Sequence, residues 1–289
     1  MSDPVSGDSW SGGRGRLRTA VESIGRALDA GIRGVGNRVR FMGGLFYLLG
    51  DALSWTVRGL LVPGVKLGRP ALAAQMVRVG VRAIPIILLV QVFIGVILAL
   101  QLAPTLQSYG QLERVADVVA IAMFRELGPL ISAIVLSGFA GASIAAEIGA
   151  MVEGEEIKAL RAHALNPIHF LVLPRVWATV IMLTGLCVIA DVIGVFGGLL
   201  TSVFVLDLSP EVYLDYTQAA IKIKDFVTGL IKAGVFGLLI SLIACYEGLT
   251  VSGGAEGVGR ATTSTVVKSI VALIGTDVVF TSVFYAFGL

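Results

Sequence analysis

The chain has 289 residues, of which 56% are hydrophobic and only 15% are charged, and its mean hydropathy is +0.88. Soluble domains carry about a quarter charged residues, so this composition excludes a soluble protein and indicates an integral membrane protein. The formal net charge of +2 says little by itself, because the basic residues are unevenly distributed, and no nucleic-acid partner is expected. Cys187 and Cys245 lie far apart in apolar runs, so neither a disulfide framework nor a metal site is expected.

The segment before the first long apolar run divides into two parts. Residues 1–16 are polar and Gly-rich, which predicts a disordered N-terminus, and the first 40 residues lack the apolar core of a cleavable signal peptide. Over residues 17–82 the sequence predicts amphipathic and interfacial helices. From Leu17 to Val39, apolar residues recur every three or four positions beside several arginines. Such a helix either lies on anionic lipid headgroups or packs on a partner protein.

Residues 41–62 are apolar but contain Asp51 and Arg58. They form either a segment in the membrane interface or a sixth span. The interface is favoured, because a sixth span would upset the distribution of basic residues described below.

Five apolar runs are long enough to cross a bilayer, since its hydrocarbon core requires about 20 helical residues. They are residues 83–103, 127–146, 176–206, 226–246 and 269–289. The third run contains Gly194, Gly197 and Gly198, which indicate where its helix bends or packs closely. The sequence therefore predicts an all-α integral membrane protein, with residues 83–289 as one domain of about five transmembrane helices.

The basic residues indicate how these spans are oriented. Twelve of the 22 Lys and Arg residues precede the first span, and loops 151–175 and 247–268 contain further basic residues. The loops on the opposite side are mainly acidic. By the positive-inside rule, the N-terminus and both basic loops are expected in the cytoplasm and the C-terminus outside.

Ionisable residues inside a membrane are costly, so they pair with one another or line a polar path. This chain has six such intramembrane residues: Arg125, Glu126, Glu147, Asp191, Lys232 and Asp277. One interpretation is that they form structural ion pairs near the membrane boundaries. The other is that Asp191 and Asp277 are the proton or ion sites of a secondary carrier.

The sequence contains no motif for hydrolysing a nucleotide or for another enzymatic reaction. The GxxxxGK[ST] phosphate loop is absent, and GGAEGVG at 253–259 lacks both its lysine and the strand before it. His163 and His169 are the only histidines, and no nucleophile motif accompanies them. We therefore expect a non-catalytic protein, either a permease driven by another subunit, a carrier or a membrane scaffold.

Several motifs in order carry a resemblance to a known family over about two thirds of the chain. They are FRELGPL (124–130), AAEIGAM (145–151), EEIKAL (155–160), NPIHFLVLPRVWA (166–178), GLIKAGVFG (229–237) and CYEGLTVSGGAEGVGRATTSTVV (245–267). With these motifs the chain resembles the MlaE/YrbE permeases, the membrane subunits of ABC systems that move lipids together with MCE-domain proteins. The resemblance implies a lipid permease, with phospholipid as the substrate. It also implies the bacterial inner membrane or, by descent, a plastid inner envelope.

The resemblance also implies partners and a site for one of them. A cytoplasmic ATPase would bind ATP and Mg²⁺, no cofactor would bind this chain, and an MCE protein would meet a homodimer of the permease. A coupling helix at 152–163, between the second and third spans, would dock on the ATPase. Ile157 and Leu160 would be its apolar anchors. Its charged contacts would be Glu153, Glu155, Glu156, Lys158 and Arg161.

A lipid path is expected at the two-fold interface of the dimer, because lipid tails need an apolar cavity that opens to the membrane. Its predicted lining comes from the first, second and last spans: Val92, Gly95, Leu98, Gln101, Phe139, Phe284 and Tyr285. Many members of the family have arginine where this chain has Phe139, which implies a more apolar pocket here. The alternative is that these residues face bulk lipid.

Overall fold

The computed structural model describes residues 36, 39–59 and 69–288. The predicted disordered N-terminus and most of the predicted amphipathic helix after Leu17 lie outside the described residues. Where the structure describes the chain, it is helical and contains no β-strand. The prediction of an all-α protein is confirmed.

The described part of the chain contains α-helices joined by short turns. In chain order they are α1 (39–59), α2 (Arg69–Val79), α3 (Ile84–Ser108), α4 (Val115–Ala122), α5 (Gly128–Leu136), α6 (Ala142–Glu153), α7 (Glu156–Ala162), α8 (Leu173–Phe204), α9 (Pro210–Ala220), α10 (Ile223–Leu249) and α11 (Gly254–Phe287). Short 3₁₀ turns occur at Val81–Ala83 and Leu112–Arg114. Five-residue π-helical segments occur at Met123–Leu127, Ser137–Gly141 and Ile168–Val172.

Five helical stretches of the described chain are long and apolar enough to cross a membrane, which confirms the predicted number of spans. They are Pro70–Ser108, Leu112–Glu153, Ile168–Phe204, Ile223–Leu249 and Gly254–Phe287. The second stretch consists of α4, α5 and α6, joined through two π-helical segments. Helix α1 is not among the five stretches, and its position in the interface stays a prediction.

Several helical stretches extend beyond the predicted spans, and two further features differ from the sequence prediction. The predicted loop 247–268 is wrong, because α11 begins at Gly254 and already contains Arg260 and Lys268. The helix tolerates these charges since Arg260 forms an ion pair at 2.8 Å with Glu256, one turn earlier. Helix α9, between the third and fourth spans, was not predicted. It begins at Pro210 and is capped by Ser209, whose hydroxyl accepts a hydrogen bond from the backbone N–H of Val212.

Helix α8 occupies the centre of the bundle. Helices α2, α3 and α10 pack on it, α10 also packs on α6, and α11 packs on α6 and α10. In the most apolar window of α10, 56% of the residues are buried, whereas only 6% are buried in that of α11. Helix α11 is therefore peripheral in the protomer.

Glycines allow α3 and α8 to approach backbone to backbone. A Cβ atom on Gly95 would collide with the carbonyl oxygen of Gly194, and one on Gly197 would collide with that of Val92. Close approach at small residues is a main source of helix association in membranes, where no hydrophobic effect drives it. The close packing predicted for Gly194 and Gly197 is confirmed, and α8 runs through them without interruption.

The second half of α1 contacts the beginning of the third span. The indole Nε1 of Trp177 donates a hydrogen bond to Thr56 Oγ1 at 3.0 Å. The Trp55 ring lies 4.9 Å from the ring of His169. The guanidinium of Arg58 lies over the Trp55 ring, 5.4 Å from its centroid. These contacts fix the second half of α1 close to the segment that connects α7 to α8.

Candidate functional site

Helix α7 is a short element set between two residues in the left-handed conformation. Helix α6 ends at Glu153, and Glu155 has a φ of 57° before α7 begins at Glu156. Ala164 has a φ of 57° just after α7 ends. The predicted coupling helix 152–163 was therefore too long, because Glu153 belongs to α6 and Glu155 to the turn between the two helices.

One face of α7 packs against the protein and the other is exposed. Ile157 is only 7% exposed and Leu160 is half-buried, whereas Glu156, Lys158 and Arg161 are exposed. Ile157 holds α7 to its own chain, and the charged residues form the accessible face. The role of Ile157 as an anchor for a partner stays a prediction.

The exposed face of α7 includes a short-range ion pair. Lys158 Nζ donates to Glu155 Oε1 at 2.6 Å, and this hydrogen bond lowers the pKa of the Glu155 carboxyl below its usual value. Both side chains are largely exposed to solvent, so the pair adds little to stability. It does hold the Lys158 ammonium next to the turn that precedes α7.

A cavity of about 570 Å³ lies beside α7. Its apolar lining includes Val152, Ile157 and Leu249, and the side chains of Lys158 and Arg161 also line it. Because α6, α7 and α10 all contribute to this lining, a surface that contacts α7 also meets the ends of two membrane spans.

The return of the chain from α7 to the membrane is fixed by Asn166 and Pro167. The side-chain oxygen of Asn166 accepts a hydrogen bond of 2.9 Å from the backbone N–H of Ile168. Asparagine caps helices in this way, and the fixed φ of proline suits the first helical position. The third span therefore begins at a defined residue directly after α7.

A three-residue ion network lies where the second span approaches α7. The two carboxylate oxygens of Glu147 contact different arginines, with Arg78 Nη1 at 2.6 Å from Oε1 and Arg175 Nη2 at 3.0 Å from Oε2. Arg175 is almost fully buried, and its Nη1 also donates to the carbonyl oxygen of Leu171 at 2.8 Å. This network connects α2, α6 and α8.

A second charged cluster lies toward the end of the bundle that carries α9. Lys232 is buried, with its Nζ 2.6 Å from Glu126 Oε2 and 2.9 Å from Asp277 Oδ1. The contact with Asp277 is an ion pair without hydrogen-bond geometry. The hydroxyl of Thr281 accepts from Lys232 and donates to Glu126, at 3.0 Å each. Arg125 lies beside this cluster and pairs with Asp225 at 3.5 Å.

This cluster borders a cavity of about 350 Å³. The lining includes Arg125, Glu126 and Lys232 together with Phe284 and Tyr285. The Lys232 ammonium is 6.0 Å from the centroid of the Phe284 ring. The cavity thus offers both charges and aromatic faces to a ligand.

Asp191 is buried in the middle of α8. Its Oδ2 accepts a long hydrogen bond, 3.7 Å, from the Cys187 thiol, and its Oδ1 has no hydrogen-bond partner among the described residues. A Cβ atom on Gly128 would collide with Oδ1. The carboxyl group therefore packs directly against the backbone of the second span.

The predicted lipid-path residues lie in several different environments. Phe284 and Tyr285 share the cavity near Lys232, whereas Phe139 is 40% exposed on a π-helical segment. The remaining four lie on α3. Gly95 lies in the α3–α8 contact, where the Val92 carbonyl also lies. Leu98 packs on an apolar cluster between α3 and α4, and Gln101 is exposed.

Several partners of the intramembrane charges were not predicted from the sequence: Arg78, Arg175, Asp225 and Thr281. One signal was present, because Thr281 lies one helical turn after Asp277 and thus on the same face of its helix. The other partners lie on other helices, and periodicity within one helix gives no information about such contacts.

Comparison with known proteins relates this geometry to a family. The family model of Permease MlaE matches residues 72–283 of the chain. A probable ABC transporter permease protein of Rickettsia felis is 40% identical over 211 residues, which cover 73% of this chain and 82% of that protein. The intermembrane phospholipid transport system permease protein MlaE of Haemophilus influenzae is 32% identical over 227 residues, which cover 78% of this chain and 87% of that protein. The chloroplastic protein TRIGALACTOSYLDIACYLGLYCEROL 1 of Arabidopsis thaliana is 36% identical over 211 residues, which cover 73% of this chain and 60% of that protein.

Proposed function

Since the chain belongs to the MlaE permease family, we propose that it is the membrane subunit of an ABC-type lipid transporter. A separate cytoplasmic ATPase would bind ATP and Mg²⁺ and supply the energy. An MCE-domain protein would exchange lipid with the permease on the opposite side of the membrane. The substrate class would be phospholipid, since the Haemophilus influenzae relative is named as a permease of an intermembrane phospholipid transport system.

The observation that carries this proposal is the position of α7. It connects the second and third spans, and it presents Glu156, Lys158 and Arg161 to solvent while Ile157 fixes it to the bundle. A rigid element seated on two spans transmits a rigid-body displacement to both of them, whereas a flexible loop would absorb it. Charged residues on its outer face suit recognition of a complementary partner surface.

The proposed arrangement in the membrane follows from the distribution of basic residues. Helix α7 and the N-terminus would face the cytoplasm of a bacterial inner membrane, and α9 and the C-terminus would face outward. Two copies would form a homodimer, with lipid entering between them. The peripheral helix α11 leaves large apolar side chains exposed, and these include Val267, Val271 and Val278. An exposed face of this kind suits contact with lipid or with a second copy.

The coupling role is tested by charge reversal on α7. The variant Glu156→Lys/Arg161→Glu should no longer co-purify with the ATPase, although it still inserts into the membrane. Glu211→Lys, an exposed charge reversal on α9 at the opposite end, serves as the matched control and should retain the ATPase. Undiminished recovery of the ATPase with the α7 variant would contradict the proposed role of α7.

A proton- or ion-coupled carrier is the second candidate. The observation that favours it is the Asp191 oxygen that has no hydrogen-bond partner within the described part of the chain. Asp277 has a cationic partner in Lys232, so its charge is compensated without a transported ion. The energy source separates the two candidates. Lipid transfer by an ABC permease stops when the ATPase is inactivated and survives an uncoupler, and a carrier shows the reverse. In a carrier, Asp191→Asn would also be the damaging change.

A further inference from the structure

We propose that Glu147 links residues 148–174, here named the coupling segment, to the first membrane span. Through this link, movement of α7 would reach the first span directly and not only the two spans that flank it. The inference rests on the proposed ABC function, in which α7 receives movement from an ATPase. It assigns Glu147 and Arg78 as positioning residues for transport.

The first part of the link closes the base of the coupling segment. Glu147 lies in α6 before the segment begins, and Arg175 lies in the first turn of α8, directly after the segment ends. Their ion pair of 3.0 Å therefore joins the two ends of the segment. Arg175 is 4% exposed, so water and salt screen this pair far less than a surface pair. A segment held at both ends by a buried ion pair moves with the helices that carry those ends.

The second part of the link connects this base to the first span. The other carboxylate oxygen of Glu147 accepts a hydrogen bond of 2.6 Å from Arg78, which lies in the last turn of α2. Arg78 belongs to the first helical stretch, Pro70–Ser108, which continues through the short turn Val81–Ala83 into α3. Glu147 thus uses one oxygen for each of two helices. A displacement of α6 at this residue acts on both.

A second ion pair in the chain has similar chemistry but lies elsewhere. Lys268 Nζ is 2.6 Å from Glu247 Oε1, and this pair connects α11 to α10. The side chains of Lys268 and Arg78 are almost equally exposed, at 42% and 45%. The Glu247 pair does not include an end of the coupling segment. It therefore provides a matched control for the loss of one cation at a partly exposed ion pair.

The decisive variant is Arg78→Gln. Because Arg78 is nearly half exposed, its removal should leave the fold intact. The Glu147–Arg175 pair remains, so the coupling segment stays closed and α7 still presents its charged face. We expect the reconstituted complex to assemble and to hydrolyse ATP, while the lipid transferred per ATP falls at least about fivefold, the lower limit of typical coupling between sites.

Three comparisons complete the test in proteoliposomes containing the full complex. Arg78→Lys keeps the cation and should restore most of the lipid transferred per ATP, whereas Lys268→Gln should leave this ratio unchanged. An unchanged ratio in Arg78→Gln, an equal loss in Lys268→Gln, or loss of ATPase assembly in Arg78→Gln would each overturn the inference. If the unsubstituted complex transfers no lipid in an ATP-dependent manner, the proposed function itself fails, and this result differs from all three.

Discussion

Replacing Lys232 with methionine tests whether the charged cluster at the α9 end stabilises the bundle. The lysine side chain is 1% exposed and lies within 3 Å of carboxylates on two other helices, Glu126 at 2.6 Å and Asp277 at 2.9 Å. Methionine keeps most of the apolar volume but removes the only cation that contacts both carboxylates in the described structure. Two anions then remain close together without compensation. Removing one partner of a buried ion pair typically costs about 3–5 kcal/mol, and we expect Lys232→Met to reduce the free energy of unfolding by that amount.

The assay is reversible unfolding in mixed micelles at increasing denaturing detergent, followed by tryptophan fluorescence. The double variant Lys232→Met/Asp277→Asn is the matched comparison. It should recover part of the lost stability, because Asp277 is only 15% exposed, whereas Glu126 is 36% exposed and retains contact with solvent. If Lys232→Met unfolds within about 1 kcal/mol of the unsubstituted protein, as exposed pairs do, the cluster is not a buried ionic contact. A double variant no more stable than Lys232→Met would refute the repulsion between carboxylates.

Two further predictions concern helix contacts. Gly95→Leu should lower the free energy of unfolding by about 1–3 kcal/mol or more, because the leucine side chain would meet the carbonyl of Gly194. Gly275→Leu is the control and should have little effect in the same unfolding assay, because a Cβ atom at Gly275 meets nothing within 4 Å. The Tyr213 hydroxyl donates to the carbonyl of Val195 at 3.2 Å, and burial raises the pKa of this phenol. The contribution of Tyr213 to the free energy of unfolding should therefore be constant below the ordinary tyrosine pKa of about 10 and fall as the pH rises above it. Tyr213→Phe should remove this component of the alkaline loss, and an unchanged alkaline profile would contradict the assignment.

The membrane spans were predictable because the requirement they meet is local. A helix that crosses a bilayer needs about 20 apolar residues in succession, and five runs of the sequence satisfy this. The start of the fifth helix was not predictable by that criterion. Arg260 and Lys268 interrupt the apolar run, yet the helix continues through them, since each is paired with a glutamate. Hydropathy locates the part of a helix that lies in lipid, and not the part that extends beyond it.

The ion pairs could not be predicted because they depend on which helices become neighbours. Glu126 and Lys232 are 106 positions apart in the chain, and Arg78 and Glu147 are 69 apart. The cost of an isolated charge in a membrane indicated that partners must exist, but it did not identify them. The exception is Thr281, one turn from Asp277 on the same helix.

The face that α7 turns toward its own chain could not be predicted for a related reason. Ile157 is the most apolar residue of a short charged helix, and such a residue serves equally well as an anchor to a partner or to its own chain. The sequence favoured the partner because the resemblance implied docking there. The structure buries Ile157, and the same side chain lines the cavity beside Val152 and Leu249.

The contacts between spans are of two kinds, and their distribution indicates which helices stay together when the protein moves. Helices α3 and α8 meet through backbone atoms at Gly95 and Gly194. Such a contact is lost over many atoms at once if either helix shifts, so these two helices behave as one body. Helix α11 is attached differently, since few of its residues are buried and ion pairs through Lys232 and Lys268 join it to its neighbours. The partly exposed Lys268 pair can exchange partners or water at small cost, whereas the buried Lys232–Asp277 contact has to be kept during such a movement. A change in the position of α11 relative to α3 and α8 therefore disrupts the least packing, and a cavity bordered by Phe284 and Tyr285 would change its width in the same movement.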